Sequence, residues 1–328
     1  METNNLRRIL IVDDEINIVN AVKRELSTPP LGHYRYDIEG FSDPLLALEQ
    51  AKVSYFDLVI SDYRMPGMDG LTFLKAFAEI QPDCIALVLS GWTDMEALTK
   101  MVNQTHIFRF LPKPWHDYFL KSSVSQSLDY NGERLKNRRL ADLVRQHDIP
   151  IAALAENIDQ ILIVGSNTTE LDRLAQELSN YNKMDDLFAV IRSEMGHEPT
   201  IPLPEGKLNI QVTTSPIEAL KMAEKTTFSC IFSAYKLPQM DGVKLLQAFF
   251  EKQPDCARFL IGDEINMDEL ISAIDLAHIS GVFNQPMQDL LNLKVGFMQA
   301  LTHRKMMIEN RILADMLRAA LPWQTIEQ

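Results

Sequence analysis

Two adjacent acids, Asp13 and Asp14, end the short apolar run Ile9-Leu10-Ile11-Val12, and a third, Asp62, ends the run Leu58-Val59-Ile60-Ser61. Three carboxylates brought into one crevice repel one another unless a hard divalent cation holds them, and oxygen ligation with retained water suits Mg2+. The same cation would offset the charge of an incoming phosphoryl group and leave Asp62 usable as a nucleophile. Two later apolar runs end in Ser90-Gly91 and Lys113-Pro114. The Ser90 hydroxyl could donate to a phosphoryl oxygen, and Lys113 could add a point charge beside it. Each residue has an ordinary alternative: Asp13 and Asp14 as helix caps, Ser90 as a plain strand end, Phe110 as core. Their joint occurrence at separate run ends favours chemistry over accident.

For these residues to meet, the runs that carry them must lie side by side. Apolar runs at Ile9–Val12, Tyr36–Phe41, Leu58–Ile60, Ile85–Leu89 and Ile107–Leu111 alternate with segments of helical period. Continuous rather than alternating apolar residues predict a parallel sheet covered on both faces, a doubly wound α/β domain with five strands. Ligands of such sheets bind outside the carboxyl ends of the strands, where these polar residues fall.

The chain also repeats itself. Met65-Pro66-Gly67-Met68-Asp69-Gly70 recurs 172 residues later as Leu237-Pro238-Gln239-Met240-Asp241-Gly242, and Gln81-Pro82-Asp83-Cys84 recurs as Gln253-Pro254-Asp255-Cys256. Leu140-Ala141-Asp142 returns as Leu313-Ala314-Asp315. Ile9–Val12 matches Ile161–Val164 at an offset of 152, so the second copy carries 20 extra residues, expected within 181–208. The repeat predicts a domain over 6–130, a helical linker over 131–157, a second domain over 158–300 and a C-terminal helical extension over 301–328. Each copy ends in a long helical segment, Trp115 to His147 and Pro286 to Ala320. Leu128, Leu135 and Leu143 align with Leu301, Ile308 and Met316 as a partial heptad-like stripe, which reads as packing, a signalling helix or a coiled-coil dimer seam.

Together, Asp13-Asp14-Glu15, Asp62 with Met65–Gly70, Ser90-Gly91, Phe110 and Lys113-Pro114 resemble the receiver domain of two-component response regulators over nearly all of residues 6–130. The resemblance implies a flavodoxin-like fold and phosphorylation of Asp62 from a sensor histidine kinase or phosphotransfer protein. It also implies Mg2+ held by Asp13, Asp14, Asp62 and the backbone carbonyl of Arg64, with Asp14 ligating directly. Lys113 would contact the phosphoryl group, while Ser90 and Phe110 would carry the switch. Phe110 lacks the phenolic hydroxyl that some relatives have, so its switching would rest on burial. The run Phe110-Leu111-Pro112-Lys113-Pro114-Trp115, with Ser90-Gly91-Trp92, further resembles receivers attached to HD-GYP cyclic-di-GMP phosphodiesterases.

In the second copy Asp13-Asp14 become Gly165-Ser166, Asp62 becomes Ala234, Ser90 becomes Gly262 and Lys113 becomes Gln285, while Pro286 persists. A pseudo-receiver without phosphoryl chemistry is expected there, kept for packing, dimerisation or partner binding. No effector enzyme is expected: the sequence shows no GGDEF, EAL or helix-turn-helix pattern, no GxGxxG turn and no P-loop. An aspartyl-phosphate hydrolase of the haloacid dehalogenase type would need an Asp-x-Asp motif after its first strand, and none occurs.

Composition bounds the rest. Hydrophobic residues make up 46% and charged residues 23%, with no apolar run long enough to span a bilayer and no signal peptide pattern, so a cytoplasmic protein without a membrane partner is expected. A net charge of −13 opposes nucleic-acid binding. The basic cluster Arg134, Lys136, Arg138 and Arg139 is flanked by Glu133 and Asp142 and reads as a solvated helix face, and His147-Asp148 as a solvated linker pair. Cys84, Cys230 and Cys256 read as buried thiols. The partners expected are a kinase, a downstream protein and a second copy in a homodimer. The alternative is that these residues are the regulatory portion of a longer signalling protein whose effector follows Gln328.

Overall fold

The computed structural model describes residues 6–27, 34–91, 107–115, 117–150, 158–179, 207–262, 277, 279–283 and 290–321. The described residues up to Leu135 and those from Lys136 onward fall into two compact units. The first holds a five-stranded parallel sheet of β1 (Leu6–Val12), β2 (Arg35–Phe41), β3 (Leu58–Asp62), β4 (Ile85–Gly91) and β5 (Ile107–Lys113), in the order β2-β1-β3-β4-β5. Between them lie α1 (Ile16–Ser27), α2 (Pro44–Val53) and α3 (Gly70–Ile80), and after them the long α4 (Asp117–Gln146). Every residue of β3 is buried, as is Ile9 to Val12 of β1, which is why these strands carry unbroken apolar runs. On one face Leu10, Val12 and Val59 pack against Phe56, Phe73 and Phe77, each aromatic contributing about 2–3 kcal/mol by leaving water.

The second unit repeats the design with β6 (Ile158–Val164), α5 (Thr168–Ser179), β7 (Lys207–Thr213), α6 (Pro216–Ala223), β8 (Cys230–Ala234), α7 (Gly242–Lys252), β9 (Ala257–Ile261), β10 (Gly281–Phe283) and α8 (Leu290–Ala320). Its parallel strands run β10-β9-β8-β6-β7, the same topology. Both sheets with their helices are doubly wound α/β, as expected. The stretch 181–208, where the 20 extra residues are expected, lies outside the described residues up to position 206, and β7 begins at Lys207.

The repeated motifs turn out to be scaffolding. Asp69 caps α3 by accepting from the Thr72 amide at 2.7 Å, and Asp241 caps α7 through the Lys244 amide at 2.8 Å. A Cβ on Gly70 would lie 2.1 Å from the Asp62 carbonyl oxygen, and one on Gly242 2.1 Å from that of Ala234, so only glycine lets the helix start this close to the strand. Gln81 accepts from the Phe56 amide and donates to the Ala51 and Ser54 carbonyls; Gln253 does the same with Phe228, Ala223 and Thr226.

Two expectations for α4 need correction. Arg134 is buried, not solvated: its guanidinium donates to the Asp83 carbonyl at 2.9 Å and to Asn131 at 2.8 Å, while Asn131 donates to the same Asp83 carbonyl at 2.9 Å. Arg138 and Arg139 are exposed, as are His147 and Asp148. The apolar seam also sits off the expected stripe. Leu135 and Leu143 are only half-buried, whereas Leu140, Ala141 and Val144 share a buried cluster with Leu313, Ala314, Leu317 and Leu321, all within the second unit. The three cysteines are buried and free, and burial pushes the Cys256 thiol up to about 12. No helix among the described residues is long and apolar enough to cross a membrane.

Candidate functional site

The parallel register brings the predicted site residues to one end of the first sheet. Asp13 follows β1 and Asp62 closes β3, while Leu89, the partner of Asp62 on β4, immediately precedes the buried Ser90. Ser90 in turn pairs with Pro112 of β5, one residue before Lys113. Phe110 lies on β5 opposite Val88; its side chain lies outside the described residues. The Lys113–Pro114 peptide bond is cis.

Lys113 joins two of the acids. Its Nζ donates to Asp13 Oδ2 at 2.6 Å and lies 2.5 Å from Asp62 Oδ1. The remaining oxygens are held by the backbone: Asp13 Oδ1 accepts from the Glu15 amide at 3.0 Å and Asp62 Oδ2 from the Arg64 amide at 3.1 Å. Asp13 and Asp62 are buried and Asp14 is exposed, yet one carboxylate oxygen of each lies within 4.8 Å of the others. Among the described residues this is the one group of acids, histidines or cysteines close enough to share a metal ion.

Burial raises the pKa of Asp13 and of Asp62, and the Lys113 ammonium opposes that rise without cancelling it. Burial by itself would lower the Lys113 pKa, but hydrogen bonds and charge from Asp13 and Asp62 outweigh it and hold the ammonium above its ordinary value. A lone ammonium among three carboxylates leaves the crevice net negative. An oxygen-only set with one solvent-facing acid fits a hard, partly hydrated dication such as Mg2+. What sequence reasoning missed is this double contact of Lys113, which opposite charge alone does not reveal.

Among its described residues the second unit offers nothing comparable. Gly165 and Ala234 stand where Asp13 and Asp62 stand, and a Cβ on Gly165 would lie 2.8 Å from the buried Leu171 side chain and 3.8 Å from that of Ala234. Apolar packing fills the space of the acids. Gln285 and Pro286 lie outside the described residues.

Comparison with known proteins agrees with this geometry. Residues 9–125 match the response regulator receiver domain family. The hydrogenase transcriptional regulatory protein HoxA of Cupriavidus necator is 29% identical over 168 residues, covering 51% of this chain and 33% of HoxA. The cyclic di-GMP phosphodiesterase response regulator RpfG of Xanthomonas campestris is 27% identical over 179 residues, covering 52% of this chain and 42% of RpfG. The crystal structure of the signal receiver domain of an HD domain-containing protein from Pseudomonas fluorescens is 31% identical, with a TM-score of 0.36, covering 38% of this chain and 97% of that one. The chain thus spans about a third to two fifths of these two curated relatives. With its parallel sheet, its acid cluster and this match, the segment from residue 9 to 125 belongs to the response regulator receiver domain family.

Proposed function

We propose that Asp62 accepts a phosphoryl group, in a Mg2+-dependent reaction, from the phosphohistidine of a sensor histidine kinase or phosphotransfer protein, and that the modification switches a protein–protein interface. The observation that carries this reading is the contact of one lysine, Lys113, with both Asp13 and Asp62 beside the exposed Asp14. An Asp62 carboxylate oxygen would attack phosphorus, forming the acyl phosphate as the N–P bond of phosphohistidine breaks and the imidazole takes a proton from solvent. Mg2+ held by Asp14, Asp62, the Arg64 carbonyl and, through water, Asp13 would offset the charge of the entering phosphoryl group. Lys113 would pass from the Asp62 carboxylate to a phosphoryl oxygen, and Ser90 would donate to another. The second unit would then serve as an interaction or dimerisation module, and Phe110 would follow Ser90 in relaying the change.

A second reading is favoured by coverage: relatives named as a transcriptional regulator and a cyclic di-GMP phosphodiesterase extend well beyond the matched part. On that reading these residues are the regulatory portion of a longer signalling protein. In both cases the net charge of −13 argues for a protein rather than nucleic-acid partner of this chain. Incubation with acetyl phosphate and Mg2+ tests the primary reading. Intact-mass analysis should show one added phosphoryl group, lost on hydroxylamine treatment; no mass increase, or one that persists without Mg2+, would overturn it.

A further inference from the structure

The C-terminal halves of the two long helices are more alike than the sites their domains carry. Asn137, Arg138, Leu140, Ala141, Asp142 and Arg145 of α4 all recur 173 residues later in α8, whereas the acids of the phosphoryl site are replaced. The apolar members of this segment are buried against each other within the second unit, where Leu140, Ala141 and Val144 cluster with Leu313, Ala314 and Leu317. The polar members Arg138, Asp142, Arg145 and their counterparts Arg311, Asp315, Arg318 are exposed. Identical side chains on two facing helices are what a two-fold contact requires, since each residue then meets its own equivalent.

We infer that these halves form a parallel, in-register two-helix stem inside a single chain, occupying the seam that a second copy of the chain would otherwise fill. Direction follows from the asparagines. Asn137 and Asn310 are 3% and 2% exposed, and they stand at the same heptad position as Val144 and Leu317, seven residues on. Antiparallel helices would set each amide against the apolar C-terminal end of the other, near Leu321 or Ile149; parallel helices set amide against amide. Occupation from within follows from what is left uncovered. Among the described residues, no large apolar side chain of either stem segment is fully exposed, and the half-buried Leu143 and Ile312 pack against the same internal cluster. Tethering adds an effective concentration of order millimolar to the internal pairing. The inference does not depend on phosphorylation of Asp62, and its test reads none.

Paired cysteines distinguish the arrangements. Under mild oxidation at micromolar protein, Leu140→Cys/Leu313→Cys should convert almost wholly to a faster-migrating monomer on non-reducing gels, with each single variant unchanged. The small-for-small pair Ala141→Cys/Ala314→Cys repeats the test if loss of the leucines unfolds the stem. Unsubstituted protein is the control, since Cys84, Cys230 and Cys256 are buried. In a parallel stem Asn137→Cys/Leu321→Cys places the thiols about 16 Å apart along the axis, and no crosslink should form. Covalent dimers of a single variant would overturn the inference, as would crosslinking of the 137/321 pair, or failure of both the 140/313 and the 141/314 pairs.

Discussion

Lys113 Nζ lies 2.5 Å from Asp62 Oδ1, so the cation proposed to steady the phosphoryl group already neutralises the carboxylate that would carry it. Removing it leaves the buried Asp13 and Asp62 facing each other without a counter-charge. Lys113→Ala should lower stability to urea without divalent cations by about 1–3 kcal/mol, the range for a buried pair that keeps partial access to water. Added Mg2+ should recover much of that loss and stabilise the variant more than the parent. Equal urea midpoints for parent and variant without Mg2+ would show that the contact carries no stability.

The second unit should stay silent even when handed a nucleophile. Ala234→Asp restores the carboxylate at the end of β8, but Gly165 and Ser166 still supply no acid and Leu171 packs into the space. Acetyl phosphate with Mg2+ should modify the parent and Ala234→Asp once each, and should leave Asp62→Asn/Ala234→Asp unmodified. Phosphate on the double variant would place a working site in the second sheet.

Acidification should separate metal binding from fold stability. Burial raises the Asp13 and Asp62 pKa values above 3.8, so protonation relieves an unfavourable charge in the folded state. The sign is that these two groups weaken the metal-free fold while ionised, and the penalty fades as pH falls through their raised pKa values. Mg2+ needs the same groups ionised, so its affinity falls over that window. Lys113, with its pKa raised, keeps its charge throughout and is lost only on strong alkalinisation. The Mg2+-induced rise in Tm should therefore shrink steadily from pH 7 towards the carboxylate range. A rise that stayed constant down to pH 4.5 would mean the acids do not bind the ion.

Much of this was legible because the chain states it twice. Unbroken apolar runs give buried parallel strands, and a polar residue at the end of each run lands at the same sheet edge, so Asp13, Asp62, Ser90 and Lys113 follow from topology. The surviving motifs are structural: Asp69-Gly70 and Gln81 persist in the second copy because a cap, a close approach and a three-way bracket are needed wherever this fold occurs, with or without chemistry. Arg134 was misread because charge pattern along a helix does not disclose a carbonyl at the strand edge. The seam runs through Leu140, Ala141 and Val144 rather than Leu135 and Leu143 for a related reason: leucine spacing marks an apolar side of α4, while the partner helix decides which residues it covers.

Arg134 offers the clearest check on how α4 is held. Its guanidinium and Asn131 converge on the Asp83 carbonyl, just before β4, at the edge of the sheet opposite Asp62. The buried guanidinium donates to the Asp83 carbonyl and to Asn131, charge-assisted bonds that fasten the helix to the sheet. Arg134→Met keeps the apolar stem and removes those donors. Loss of about 1.5–3 kcal/mol is expected in urea denaturation, together with faster amide exchange across residues 120–135. Because Asp13, Asp62 and Lys113 lie at the far end of the strands, Mg2+-dependent modification of Asp62 by acetyl phosphate should proceed at close to the parental rate. If phosphorylation collapses while urea stability holds, the helix anchor and the site are coupled, and Arg134 acts on the chemistry rather than on the fold.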